Sequence, residues 1–299
     1  MASERVFAGA AGTWRLGDLT VNRLGLGAMR LTGSAAFHGG VPRARGTSVE
    51  VLRRAVDLGV NHIDTAAFYF SSLRSANELI NTALAPYPDD LVIATKVGPA
   101  RDAAGEWAPS ARPDQLRGQV EENLRQLGRD HLDVVNLRLM GRDSLADHFG
   151  ALAELREAGL VRHLGISNAT VDHLAEAEAI APVVCVQNRY GVDARGGERM
   201  LRACAERGIA FVPFFALAGD GREAGAVRTE AAPVLAVAAA HAVSPSQVRL
   251  AWTLHQGPHT LAIPGTGDPG HLVDNVAAGA LRLTEEDLRL LDMVGAGAG

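Results

Sequence analysis

Short β-branched runs alternate with amphipathic helical stretches from Leu24 to the end of the chain, without a linker, repeat or low-complexity break. Strand-like runs fall at 24–27, 61–64, 91–97, 132–137, 163–167, 183–187, 209–213 and 260–263. Helical patterns follow them at 49–58, 76–84, 113–127, 144–158, 171–178 and 198–207, then at 233–242 with 245–256, and at 271–278. The helix ends carry their own signals. Pro113 stands near a first helical position, Gly159 and Gly208 stop helices, and Ser244 with Gln247 forms a capping box. Eight consecutive strand-helix units in 299 residues predict one domain over 1–299, an α/β (β/α)8 TIM barrel. Two short runs at 13–16 and 19–21, joined by Gly17-Asp18, predict an N-terminal β-hairpin, and a pattern at 285–293 after Thr284 predicts a C-terminal extra helix. A doubly wound open sheet is the competing architecture. It lacks its fingerprint, because no correctly spaced third glycine and no helix follow Gly25-Leu26-Gly27.

Composition removes several function classes. The net charge is -5 with no basic block, which argues against a nucleic-acid surface. A hydrophobic share of 47% excludes a mostly disordered chain. The longest apolar stretch, 231–243, is broken by Pro233 and His241 and is too short to span a bilayer. Cys185 and Cys204 lack C-x-x-C spacing, so no structural zinc or other metal is expected, and a reducing compartment is. With no charged-then-apolar leader pattern, the expectation is a cytoplasmic chain. No interface signature sets the oligomeric state.

Of the 29 basic residues a single one, Lys96, is lysine. A chain that uses arginine wherever a surface cation suffices keeps lysine where a compact ammonium is needed. In a barrel, active residues lie at the C-terminal ends of strands. The second strand ends at Asp64, with Tyr69 five residues on, the third ends at Thr95-Lys96, and the fourth ends at Asn136-Leu137-Arg138. The later exits carry Ser167-Asn168, Gln187-Asn188, Phe214 and Pro264-Gly265-Thr266-Gly267. Asp64 is the expected counter-ion of a buried Lys96. A phenol beside that ammonium is expected to have a lowered pKa and to act as a general acid.

These residues resemble the aldo-keto reductase family. The string from Gly59 to Tyr69 is similar to its G-x-x-x-x-D-T-A-x-x-Y, and Asn77-Glu78 is similar to the N-E that follows. Thr95-Lys96, Leu164-Gly165-Ile166-Ser167-Asn168, and Ile263-Pro264-Gly265-Thr266 with Asn275 resemble its later motifs, over 24–292 in all. Runs at 87–91, 132–138, 184–188 and 211–215 look like the bacterial pyridoxal reductase branch.

The resemblance implies hydride transfer from NADPH to a small-molecule aldehyde or ketone. It makes Tyr69 the proton donor, tuned by Asp64 and Lys96, with Arg138 orienting the carbonyl where most relatives have His. Ser167, Asn168 and Gln187 would hold the nicotinamide carboxamide, Phe214 its ring, and Met29 would add a cofactor contact. Leu217 to Gly219 would line the pyrophosphate. Gly265, Thr266, Gly267, His271 and Asn275 would surround the adenosine, with the last barrel helix presenting its N-terminus to a phosphate. Phe68, Phe70 and Trp107 form a candidate apolar wall for substrate. The polar glycine-rich loop 218–225 either folds over the cofactor or is a plain surface loop. Few cations surround 265–268. Only His271 and Arg222 are candidates there, so NADH is an alternative cofactor. The second functional reading is a redox-silent barrel that carries out an elimination, cyclisation or isomerisation, or only binds a ligand or partner. Phe70, Arg138 and the weakened phosphate site motivate it.

Overall fold

The structure, a computed structural model, describes residues 6–33, 41–102, 104, 106–141, 144–214, 216–217 and 230–295. In chain order its elements begin with β1 (Thr13–Leu16), β2 (Leu19–Asn22), β3 (Leu26–Gly27), α1 (Arg45–Asp57), β4 (His62–Asp64) and α2 (Ala76–Leu84). Next come β5 (Val92–Val97), β6 (Ala100–Arg101), β7 (Trp107–Ala108), α3 (Leu116–Leu127), β8 (Leu132–Arg138) and α4 (Ala146–Glu157). The rest are β9 (Val161–Ser167), α5 (Val171–Glu178), β10 (Val183–Gln187), α6 (Glu198–Arg207), β11 (Ala210–Phe211), α7 (Ala232–His241), α8 (Pro245–His255), α9 (Pro269–Ala277) and α10 (Glu285–Gly295).

β3, β4, β5, β8, β9, β10 and β11 pair side by side, all parallel. Residues 260–265 then join both edges through single parallel bridges, Phe211 with Thr260 on one side, Leu24 with Ala262 and Gly27 with Gly265 on the other. The sheet therefore curls back on itself inside a ring of helices, a TIM-barrel-like α/β fold. Among the described residues no helix is long and apolar enough to cross a membrane.

Successive side chains of a strand point to opposite faces, so each strand feeds two cores. Val92, Ala94, Val134, Cys185, Ala210, Val212 and Leu261 form the inner one. Leu16 and Val21 of the antiparallel pair β1–β2 pack into the same cluster, at the end where the strands begin. Ile93, Val135, Leu137, Ile166, Val186 and Phe211 face outward against the helices. The inner space is tight enough to demand glycine. A methyl at Gly165 would meet Cys185 Sγ at 2.7 Å and the Cys185 carbonyl at 2.8 Å, and would overlap the Asn136 amide.

Several boundaries differ from the sequence pattern. α1 starts at Arg45 rather than 49, because its first turn, Arg45-Gly46-Thr47-Ser48, contributes no apolar periodicity. The strand expected at 209–213 is ladder only at Ala210–Phe211, since Pro213 has no N–H to extend it. The segment after Lys96, where the sequence pattern marks no strand, contains the antiparallel ribbon β6–β7.

Candidate active site

The inward alternation carries past the inner core to the strand ends. Asp64 ends β4, Lys96 stands near the end of β5, and Arg138, Ser167 and Gln187 end β8, β9 and β10. Register places Arg138 beside Ser167, and Ser167 beside Gln187. Lys96 is 2% exposed and Asp64 4%. Lys96 Nζ donates to Asp64 Oδ1 at 2.6 Å and to the Thr65 carbonyl at 3.0 Å. Gln187 Nε2 donates to Asp64 Oδ2 at 2.7 Å. Both carboxylate oxygens are therefore engaged, which is what a charge taken out of water requires. The ammonium lies 4.9 Å from the centroid of the Tyr69 ring.

These neighbours set the protonation states. Burial disfavours the Lys96 ammonium, but Asp64 and Tyr69 outweigh it, and its pKa stands above the ordinary lysine value. Tyr69 departs from expectation. Burial raises its pKa above the ordinary phenol value, and Asp64 adds to that, while Lys96 and Arg138 only partly offset them. The expected lowering fails because the ammonium already shares its charge with Asp64, while the phenol has lost much of its water.

Met29, Asp64, Tyr69, Arg138, Gln187, Phe214, Leu217 and Gly265 line one cavity of ≈ 110 Å³. Arg138 Cζ lies 5.3 Å from the Phe214 ring centroid. Ser167 is buried one strand away with its hydroxyl unpartnered, and Gln187 Oε1 is likewise buried and unpartnered. Asn168 is exposed, and its amide donates to the Leu139 carbonyl at 3.0 Å.

The candidate apolar wall lies elsewhere. Phe68 and Phe70 line a second cavity of ≈ 500 Å³ on the far side of Lys96. Trp107 packs edge-on to Phe68, 5.8 Å between centroids, under the Arg101 guanidinium at 3.5 Å. Phe68 meets Tyr69 ring to ring at 5.2 Å and lines the second cavity together with Lys96. None of these three rings lines the cavity that holds Tyr69.

At the far end, Thr266 is buried with its hydroxyl accepting from Asp268 N at 3.0 Å, His271 is exposed on α9, and Asn275 is buried on it. The α9 N-terminus differs from a vacant anion site. The Asp268 carboxylate takes the Gly270 and His271 N–H groups at 2.8 and 3.0 Å. The cations missed in the sequence are Arg30 and Arg43, which follow β3. Arg30 lines the first cavity and lies 3.6 Å from where a Gly265 side chain would begin, and a methyl at Gly267 would overlap the Arg43 guanidinium. No local pattern could have found them, since they approach 265–268 across the seam that closes the barrel. Gly219, with Arg222 and the rest of 218–225, lies outside the described residues.

Residues 23–296 match the model of the aldo/keto reductase family. The chain belongs to that family. It is 45% identical over 290 residues, 95% of this chain and 98% of the relative, to the pyridoxine 4-dehydrogenase of Escherichia coli. Its fold superimposes on a thermostable aldo-keto reductase solved with the inhibitor epalrestat, with a TM-score of 0.78, 30% identity, and 95% and 99% of the two chains covered. An aldo-keto reductase of Klebsiella pneumoniae solved with NADPH gives a TM-score of 0.76 at 28% identity, covering 94% of each chain. Family membership makes this chain an oxidoreductase and gives the buried Asp64–Lys96 pair beside Tyr69 its context.

Proposed function

We propose that this NADPH-dependent carbonyl reductase acts on a small aromatic aldehyde of the pyridoxal kind, with Tyr69 as the proton donor. The observation that carries the reading is the Tyr69 phenol beside the Lys96 ammonium in the cavity that Arg138, Gln187 and Phe214 also line. The pyridoxine 4-dehydrogenase relative supports the substrate class, and the NADPH complex of the Klebsiella relative supports the cofactor.

The residues present fit a nicotinamide dinucleotide. Ser167 Oγ and Gln187 Oε1 are buried polar atoms without protein partners, suited to a carboxamide, and Phe214 offers a ring face. Arg30 and Arg43 bring charge to the Gly265–Asp268 segment, where phosphate recognition needs it. NADPH, when bound, supplies the hydride. The chain supplies the proton and the electrostatics. A raised pKa keeps the Tyr69 phenol protonated at neutral pH, ready to give its proton to the carbonyl oxygen. Lys96, held charged by Asp64, lies close enough to stabilise the phenolate that this leaves. Arg138 donates to the oxygen as negative charge builds on it.

The test is NADPH consumption with pyridoxal by the wild type and by Tyr69→Phe. The variant is expected to lose about 10² to 10⁴ in kcat/KM, with NADPH binding by tryptophan quenching unchanged. Undiminished turnover would assign the proton to another group, and a wild type inert toward every aldehyde would favour the redox-silent reading.

A further inference from the structure

Two hydroxyls flank the Asp64–Lys96 pair and face away from it. Thr65 follows Asp64 and Thr95 precedes Lys96, so alternation turns both side chains outward, into the layer between strands and helices. That layer is apolar around them, with Ile63, Ile93 and Val97 from the strands and Leu79, Val120 and Leu124 from the helices. Thr65 and Thr95 are 0% exposed, and so are Asn77 of α2 and Asn123 of α3. Polar side chains shut away from water must find partners among themselves.

They do so in one connected set. Thr65 Oγ1 donates to Asn77 Oδ1 at 2.7 Å, and Thr95 Oγ1 donates to Asn123 Oδ1 at 2.6 Å. Asn77 Nδ2 joins the two halves, donating to Asn123 Oδ1 at 2.9 Å and to Gln126 Oε1 at 3.0 Å. Asn123 Nδ2 ties the set to its own helix through the Gln119 carbonyl at 2.8 Å.

The bonds close a ring. Inside the barrel, Lys96 Nζ donates to Asp64 and to the Thr65 carbonyl. Outside it, Thr65, Asn77, Asn123 and Thr95 lead back to Lys96. Thr65 belongs to both halves, since its carbonyl accepts from Lys96 while its hydroxyl is held by Asn77. β4 itself ends at Asp64, whose partner in β5 is Ala94, and the last backbone bond runs from Thr65 N to the Ala94 carbonyl. Past that point the sheet no longer sets how the Thr65 peptide is turned, and Asn77 does. A rotation there would lengthen one of the two contacts that hold the ammonium. A rotation at Thr95 would swing Lys96 itself.

We infer that Asn77 and Asn123 are positioning residues of the reductase, which act through Thr65 and Thr95 to hold Lys96 Nζ where it can take up the charge of the Tyr69 phenolate. The inference rests on the reductase reading above. It extends that reading to two side chains that do not line the Tyr69 cavity. Precision matters here because the ammonium acts at a distance, 4.9 Å from the Tyr69 ring centroid, and its own contacts are at 2.6 and 3.0 Å.

The experiment compares the wild type with Asn123→Ala, Thr95→Val and Thr95→Ser. Valine keeps the threonine shape without the donor, and serine keeps the donor. Asn123→Ala and Thr95→Val should each lose about 10- to 100-fold in kcat with pyridoxal and NADPH, as a misplaced catalytic group does. NADPH affinity, read by tryptophan quenching, should stay within about twofold, and Thr95→Ser should recover most of the rate. A second readout needs no turnover. Lys96 is the chain's one lysine, so protein grown on Cε-labelled lysine gives one lysine side-chain NMR signal. Loosening its acceptors leaves burial to act against the ammonium, so this signal should titrate at lower pH in Thr95→Val than in the wild type, and Thr95→Ser should restore it. A lowered melting temperature with kcat and the lysine titration unchanged would reduce the network to core packing and overturn the inference. So would a loss of NADPH affinity as large as the loss of kcat. If Tyr69→Phe turns over as fast as the wild type, the reductase reading falls, and an unchanged lysine titration would still overturn the positioning of Lys96. Thr95→Val carries the test should Asn123→Ala fail to fold.

Discussion

Asp64 is the residue on which the buried charge of this barrel balances. It takes Lys96 on one oxygen and Gln187 on the other. Asp64→Asn would leave the ammonium buried without a counter-ion. The expected loss is about 3–5 kcal/mol, measured as a fall in the urea midpoint with the slope unchanged. Lys96 and Tyr69 also shape the alkaline limb, because both have pKa values raised in the folded state. Above about pH 10 the unfolded chain releases these protons while the folded chain still holds them, so rising pH favours unfolding. Their contribution is constant at neutral pH and is lost only beyond that point. A stability profile that began to fall near pH 8 would contradict this account. The grouping of Asp64, Lys96 and Tyr69 was legible because a lone lysine at a strand exit is a strong signal, and barrel geometry brings the neighbouring exits together. Arg30 and Arg43 were illegible because they meet 265–268 only across the closing seam. The Tyr69 pKa was misjudged because sequence shows which charges are neighbours but not how much water is lost.

At the scale of elements, strand alternation explains most of the molecule. The positions that pack the inner core and the positions that line the candidate site are the same face of the same strands, read two or four residues further along. β9 shows the cost of that economy. Leu164 and Ile166 face the helices, while Gly165 and Ser167 face inward, and Gly165 is pressed against Cys185 and Asn136. Gly165→Ala should destabilise by about 1–3 kcal/mol, as overpacking does, and should perturb Ser167 two residues on. Thermal unfolding measures the first effect and NADPH affinity the second. A fully stable variant with unchanged cofactor binding would show that the strand can shift freely. Element types were readable from period and caps. α1 hid its first turn behind polar residues, and the β6–β7 ribbon is too short to leave a periodic trace.

For the whole molecule, a net charge of only -5 means that acid sensitivity comes from particular buried groups rather than from general repulsion. His62 is the group that matters first. It faces into the barrel, two residues before Asp64, and burial pushes its pKa down to about 4, against a smaller opposing pull from Asp64. Between about pH 6.5 and 4 the unfolded chain gains a proton that the folded chain refuses. Stability should therefore fall across that window, by roughly 3 kcal/mol, and His62→Gln should flatten the profile there. Asp18 is held low by Arg162 and His163, and its contribution goes only at still lower pH. Urea titrations from pH 7 to pH 4 separate the two, and a flat wild-type profile would remove His62 from the account.

The burial of Lys96 has a practical consequence. It is the chain's one lysine and lies almost wholly beneath the surface. An amine-acylating reagent therefore finds no lysine side chain on the native protein. A mass increment mapped to Lys96 marks a molecule whose barrel has opened, so slow acylation clocks unfolding events, with the active site as its own reporter.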